Sequence, residues 1–441
     1  MRRGICRTRV ARAVHRMSLE TTSHAVISDT QRRYTLFILV LVFTSSHVDR
    51  QIMGILGQPI KESLLLSDTQ LGLLTGIMFA FFYATLGMPI AMWSDRGNRR
   101  NIITLSITLW SGMTALCGLT QTYMQLLLAR IGVGVGEAGS NPPSHSIIAD
   151  LYPPENRATA MAIFAMGINA GIMLGFLIGG WVNEWLDWRW AFIIAGLPGI
   201  IIALLVRFTI TEPPRGYSEP NVQVAKPPKF SVVLRTLFAS PVLRNIVLGG
   251  MFAAFAGYAA VIWVPVYLVR IHGLGTGETG TYLALIIGLG GAFGSFSAGW
   301  LADRWGARNH GWRAWIVALA TLITLPFLAL AFIQESASST MWLYAIPAIL
   351  GTAYVGPGFA LIQSNVPLEM RSVAAAINLF ITNIVGLGLG PLSIGILSDW
   401  FEPTYGNDSL RYALFLIPVI SILSMLFYLR AGLHLRHLQK Q

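Results

Sequence analysis

The sequence predicts an all-α membrane protein with twelve transmembrane helices in two six-helix bundles. Three observations carry that prediction. Of the 441 residues, 54% are hydrophobic and 12% charged, about half the charged fraction of a soluble domain. Apolar runs of bilayer length recur along the whole chain. One proline-rich polar stretch divides these runs in the middle, and short signatures recur on either side of it.

A helical residue rises about 1.5 Å and the hydrocarbon core is about 30 Å thick, so about 20 apolar residues cross it. Twelve such runs are present, at 34–57, 69–93, 101–121, 123–150, 157–182, 189–210, 241–270, 278–302, 313–334, 341–366, 371–400 and 410–430. Lipid offers backbone groups no partners, so these runs must be helices. The gap TEPPRGYSEPNVQVAKPPKF is the longest polar stretch between runs and reads as a linker. The expected organisation is a basic tail (1–33), a first bundle (34–211), a linker (212–240), a second bundle (241–430) and a short tail (431–441). Eight of the 31 Lys and Arg precede residue 34. That segment lacks the apolar core of a signal peptide, and Met17 within it is an alternative start.

Loop charge sets the orientation. With the N-terminus in the cytoplasm, only Lys61, Arg189, Arg270 and Arg411 fall in outside loops, and an even number of spans returns the C-terminus to the cytoplasm. The chain is thus expected to be a multi-pass protein of a bacterial inner membrane, acting as a monomer. The formal charge of +11 resides mainly in polar gaps rather than on one soluble face, which argues against nucleic acid as a partner. Cys6 and Cys117 form neither a disulfide framework nor a metal cluster. No HExxH, G-x-S-x-G or Walker sequence occurs, so neither an enzyme nor an ATP-driven pump is expected, and no metal or cofactor. Gly134, Gly136 and Gly139 do spell G-x-G-x-x-G, but inside the fourth run, with no strand before them. There, small residues allow close helix approach, which accounts for the glycines without the strand–loop–helix setting that a dinucleotide fingerprint needs.

The two halves repeat. AMWSDRGNRR (91–100) leaves the second run and GWLADRWGAR (299–308) the eighth; PENRATAMA (154–162) enters the fifth and LEMRSVAAA (368–376) the eleventh. Two parallel halves around a central site are the plan of many secondary transporters. The D-R-x-G-x-R loop resembles the signature of the major facilitator superfamily, closely in its second copy. Gly167, Gly171, Gly175 and Gly179 resemble that superfamily's antiporter motif without its Gly-Pro pair. SHVDR (46–50), RIGVGVGEA (130–138) and IIADLYPPENRATAMAIF (147–164) are similar to the spinster family. This resemblance implies alternating access and amphiphilic substrates such as sphingosine phosphate and lysophospholipids.

Four ionisable side chains fall well inside runs: Asp49 and Arg50 in the first, Arg130 and Glu137 in the fourth. Each costs roughly 2.5–3.5 kcal/mol on a lone helix in lipid, so they must pair or line a wet cavity. Asp49 and Arg50 project about 100° apart, and Arg130 and Glu137 are about 10.5 Å apart along their helix. Pairing must therefore run between helices, as Arg50 with Glu137, Asp49 with Arg130, or both. Two readings follow. The set is a static staple, or Arg50 or Arg130 binds an anionic group while Asp49 or Glu137 takes a proton. Either carboxyl can sit beside an arginine in one state and lose it in another, which suits proton coupling. His47 titrates in the right range to join the proton path.

The seventh run carries Phe252, Phe255, Tyr258, Trp263 and Tyr267. An aromatic stripe usually packs, but opposite a charged half it suggests a cavity with an ionic and an apolar wall. Tyr258, Trp263 and Tyr267 are accordingly expected to bind substrate with Arg50, Arg130 and Glu137. Gln363, Asn365, Asn378 and Asn383 add polar groups. In the cytoplasmic loops, Asp95, Arg96, Asp150, Asp303 and Arg304 are expected to form a gate. The function expected is proton-coupled transport of a small amphiphilic, anionic, lipid-like substrate. A soluble organic anion or a drug is the alternative, and a membrane enzyme or a channel would belong to a different class.

Overall fold

A computed structural model describes residues 27–218 and 228–440. Most of the expected N-terminal tail, including Cys6 and Met17, and part of the linker lie outside the described residues. Twelve helical spans are present among the described residues, and both described ends lie at one face of the molecule, called here the terminal face; the opposite face is the far face.

Span one is Asp29–Ile55, begun by a capping box in which Ser28 and Gln31 satisfy each other's backbone amides. A short helix, Gly57–Leu64, follows it at the far face. Span two runs Asp68–Thr75 and Ile77–Ser94, span three Arg99–Cys117, and span four Tyr123–Glu137 and Asn141–Leu151. Spans five and six are Pro154–Trp185 and Trp188–Thr209. A short helix, Phe230–Ala239, precedes span seven, Pro241–His272. Span eight contains a π-helical segment, Ala284–Gly290, between Thr276–Leu283 and Gly291–Gly306. Span nine is Trp312–Ile333, and span ten is Ala337–Leu350 with Val355–Ser364. Span eleven holds a second π segment, Thr382–Leu389, between Arg371–Ile381 and Gly390–Tyr405; span twelve is Leu416–Lys440.

Nine helical stretches among the described residues are long and apolar enough to cross a membrane, one of them covering spans eleven and twelve together. Spans three and four fall outside that set. Span three opens on Arg99 and Arg100, and span four carries Arg130 and Glu137 and breaks in two. The break at residues 138–140 interrupts what the sequence presents as one run. It is marked by Pro142 and Pro143, which suit the first turn of a new helix but not a helix interior.

Small residues decide how closely the spans pack. Gly167, Gly171, Gly175 and Gly179 make one face of span five against span one, where a Cβ at Gly171 would meet the Thr44 carbonyl oxygen at 2.5 Å. The glycines of the G-x-G-x-x-G sequence pack likewise: a Cβ at Gly136 would lie 2.6 Å from the Trp110 nitrogen of span three. They are contact points between helices, as their surroundings imply.

The halves meet along spans two and eleven and along spans five and eight, firmly at the far face. There Asp68, with a side chain 2% exposed, accepts 2.7 Å bonds on both oxygens from Arg270, 2.6 Å from Lys61 and 2.6 Å from Ser398. Asp399 of span eleven accepts the Asp68 and Thr69 backbone amides, each at 2.8 Å. Beside spans five and eight, the Gly277 amide donates to Glu184 at 2.6 Å and Trp181 Nε1 to Thr281 at 2.9 Å. At the terminal face, Asp95, Arg96, Asp303 and Arg304 are all exposed. The molecule is closed at the far face and open at the terminal face.

Candidate functional site

Between the halves lies a cavity of about 380 Å³. Spans one, two and four supply its charged side, through His47, Arg50, Phe79 and Arg130. Spans seven, ten, eleven and twelve supply Tyr258, Tyr344, Tyr354 and Tyr428, aliphatic side chains, and the amides of Asn378 and Asn383.

The intramembrane charges are distributed unequally. Arg50 Nε donates to Glu137 Oε2 at 2.7 Å, and its guanidinium lies 4.5 Å from the Tyr83 ring centre and 5.1 Å from that of Phe79. Arg130 lies over the same Phe79 ring, at 5.3 Å, so one aromatic ring meets two cations. Asp49 Oδ2 accepts from the Thr114 hydroxyl of span three at 3.0 Å. Asp49 Oδ1, Glu137 Oε1, and Nε and Nη1 of Arg130 are buried without a hydrogen-bond partner. Of the two pairings the sequence allows, Arg50–Glu137 is made and Asp49–Arg130 is not. An unpaired buried polar atom is costly, so this cluster holds unspent hydrogen-bonding capacity beside the cavity. His47 lines the cavity, with Nδ1 2.9 Å from the Phe43 carbonyl oxygen.

Two residues expected to bind substrate lie elsewhere. Trp263 and Tyr267 are 0% exposed and absent from the cavity wall. Trp263 Nε1 donates to the Pro391 carbonyl at 2.8 Å and Tyr267 Oη to that of Phe332 at 3.2 Å. Span seven is long, and its far portion is enclosed by packed neighbours, so these rings are core. Phe252 stacks on Phe427 at 5.7 Å, leaving Tyr258 as the member of the stripe on the cavity. Asn365 bonds its own helix, at Leu361 O, and Gln363 is exposed.

Of the expected gate residues, Asp150 does not bridge the halves. It pairs with Arg99 and accepts the Gly216 amide at 2.9 Å. Arg99, fully buried, also donates to Glu212 at 2.7 Å, Ser146 at 2.9 Å and the Pro213 carbonyl at 2.7 Å. This network fastens the chain after span six to its own bundle. Arg304 lies over Trp300 of its own span at 5.3 Å, and no ion pair joins Asp95 or Asp303 to the other half among the described residues. The far-face cluster around Asp68 has no signal in the sequence. Lys61 and Arg270 read as loop charges, and nothing local connects residues 68, 270 and 398.

The family model for the Major Facilitator Superfamily matches residues 35–391. The chain belongs to the major facilitator superfamily. Within it, the chain is 35% identical over 386 residues to an MFS-type efflux pump of Mycolicibacterium smegmatis, covering 86% of this chain and 87% of that protein. It is 26% identical over 416 residues to a sphingosine-1-phosphate transporter of Danio rerio, covering 88% and 81%. Among solved structures it resembles a bacterial homolog of the human lysosomal transporter spinster in an inward-facing, unoccupied conformation. That likeness has a TM-score of 0.85 and 33% identity, and covers 92% of this chain and 98% of the other. This superfamily member is accordingly a membrane transporter and not an enzyme.

Proposed function

We propose that the protein moves an anionic amphiphile across a bacterial inner membrane by proton-coupled alternating access, as a monomer with both termini in the cytoplasm. On this reading the terminal face is cytoplasmic and the conformation is inward-facing. The observation that carries the reading is the two-sided cavity, with Arg50 and Arg130 on one wall and tyrosines and aliphatic groups on the other. An anionic head fits the first wall and a hydrocarbon body the second. Arg130, with two donors unpartnered, is the cation free to receive the head, and Arg50 becomes available when Glu137 lets go.

Protonation supplies that release. A neutral Glu137 holds Arg50 less tightly than a carboxylate, because charge-assisted hydrogen bonds are roughly twice as strong as neutral ones. Asp49 is the second carboxyl in reach of the exchange, and His47 stands at the cavity edge of the same span. Asp95, Arg96, Asp303 and Arg304 close the cytoplasmic side in the opposite state.

The test is uptake into proteoliposomes under an imposed pH gradient, with a lysophospholipid of anionic head as the probe. Accumulation should require the gradient and fall with Arg50→Ala. Glu137→Gln should bind the probe yet lose gradient-driven accumulation. Uptake indifferent to both the gradient and the head-group charge would overturn the proposal. A second reading, export of a drug-like anion, is favoured by the similarity to an efflux pump; it predicts that short-chain anions compete as well as long-chain ones.

A further inference from the structure

The described residues enclose a second cavity besides the central one. A groove of about 980 Å³ runs up from the terminal face between spans one and five of the first half and span eight of the second. Its walls are mostly apolar and open: Phe37 is 57% exposed, Met166 64% and Leu289 57%. Its mouth is polar and net positive, with Arg32 and Arg33 against the single acid Asp29. Arg32 is partly engaged, 3.4 Å from Asp29 and lying over the Tyr217 ring at 6.0 Å. Arg33 is exposed on the same turn. Both act on the adjacent Tyr152 phenol, opposing the upward shift that burial imposes on it.

We infer that this groove is a binding site for an anionic membrane lipid, with an acyl chain against Phe37, Met166 and Leu289 and the headgroup phosphate at Arg32 and Arg33. The chemistry is complementary along its length. Apolar walls at bilayer depth accept hydrocarbon, and a basic pair at the membrane edge attracts anionic headgroups, as basic juxtamembrane segments do. The inference stands on the groove alone and holds whether or not the central cavity carries a lipid. It has a conformational consequence. The walls belong to both halves, so a chain lodged there separates span five from span eight and favours the state open at the terminal face.

The experiment uses the full-length protein in nanodiscs doped with phosphatidylglycerol or phosphatidylcholine, each carrying a photoreactive diazirine in the acyl chain, with adducts mapped by mass spectrometry. Phosphatidylglycerol adducts should concentrate in peptides covering 163–173 and 285–292, several-fold above those from phosphatidylcholine. Arg32→Gln with Arg33→Gln should bring them down to the phosphatidylcholine level. Ala170→Phe, which fills the groove without touching charge, should suppress both, and Arg50→Ala in the central cavity should change neither. Spin labels at Ala158 and Ala307 should report a larger separated population in phosphatidylglycerol than in phosphatidylcholine, with the difference lost in the double arginine variant. Equal labelling by the two lipids, labelling unchanged by the arginine substitutions, or adducts spread evenly over the spans would overturn the site. A label distance indifferent to lipid charge would overturn its effect on conformation. Failure of lysolipid transport with groove labelling intact would count against the central-site proposal only.

Discussion

Asp68→Asn tests what holds the far face shut. The Asp68 carboxylate receives two bonds from Arg270 and one from Ser398, all from the second half, and one from Lys61 of its own half. Only the cross-half bonds are lost when the halves part. Removing one partner of a buried ion pair costs about 3–5 kcal/mol, and the amide oxygen of Asn recovers about 1 kcal/mol by accepting one bond. The closed state should therefore lose about 2–4 kcal/mol, a shift of roughly 30- to 700-fold in the closed-to-open ratio. Lys61→Gln provides the contrast. Lys61 travels with Asp68, so its loss should change the ratio by less than about 1 kcal/mol. Spin labels at Leu186 and Thr404, in a background with Cys6 and Cys117 replaced by serine, measure the separation across the far face. Asp68→Asn and Arg270→Gln should both populate longer distances, and Lys61→Gln should not. Distance distributions unchanged by Asp68→Asn, or shifted equally by Lys61→Gln, would refute the reasoning.

Other residues lead to distinct outcomes. Trp263→Ala should lower thermal stability by about 3–5 kcal/mol, as for a large buried ring, whereas Tyr258→Phe should leave the melting temperature near that of the parent and weaken binding of the lysophospholipid probe; equal effects of the two on melting would contradict their placement. Arg99→Gln leaves Glu212 and Asp150 without their shared cation and should cost about 3 kcal/mol of stability, read by thermal unfolding, with Lys only partly restoring it because one ammonium cannot reproduce the guanidinium fork. Asp303→Asn should leave melting unchanged, since Asp303 is exposed in this conformation, yet enlarge the terminal-face-open population measured by spin labels at Ala158 and Ala307. Asp49→Asn keeps an acceptor for Thr114 and should be better tolerated than Glu137→Leu, which strands Arg50; comparing the two unfolding midpoints checks the inequality.

Much of this molecule is legible in the sequence because lipid leaves the backbone few choices. Run length and the polar linker predict spans and halves, and the cost of burying charge singles out Asp49, Arg50, Arg130 and Glu137. The Arg50–Glu137 pair was one of two arrangements that helix geometry allowed. What was not legible depends on contacts far apart in the chain. Asp68 looks like a helix start and Arg270 like a loop cation, and only the packing of spans two, seven and eleven brings them together. The aromatic stripe misled for a related reason. Spacing places Tyr258, Trp263 and Tyr267 on one helix but does not say which depth faces a cavity and which faces packed neighbours. The break in span four had a visible signal, the Asn141-Pro142-Pro143 sequence, which apolar run length alone passes over.

The Asp399 cap has a consequence for motion. Span two begins with three amides that no turn of its own helix can satisfy. Ser67 takes the Gln70 amide at 3.2 Å, while Asp399, 331 residues from Asp68, takes the other two. The start of this helix is therefore composite. Its inner acceptor never leaves, and its outer acceptor belongs to the body from which it must separate. When the far face opens, the amides of Asp68 and Thr69 can turn to water at the membrane surface, and the capping box keeps the first turn wound. The helix can thus undock and redock through repeated cycles without having to nucleate again, the slow and unfavourable step in making any helix.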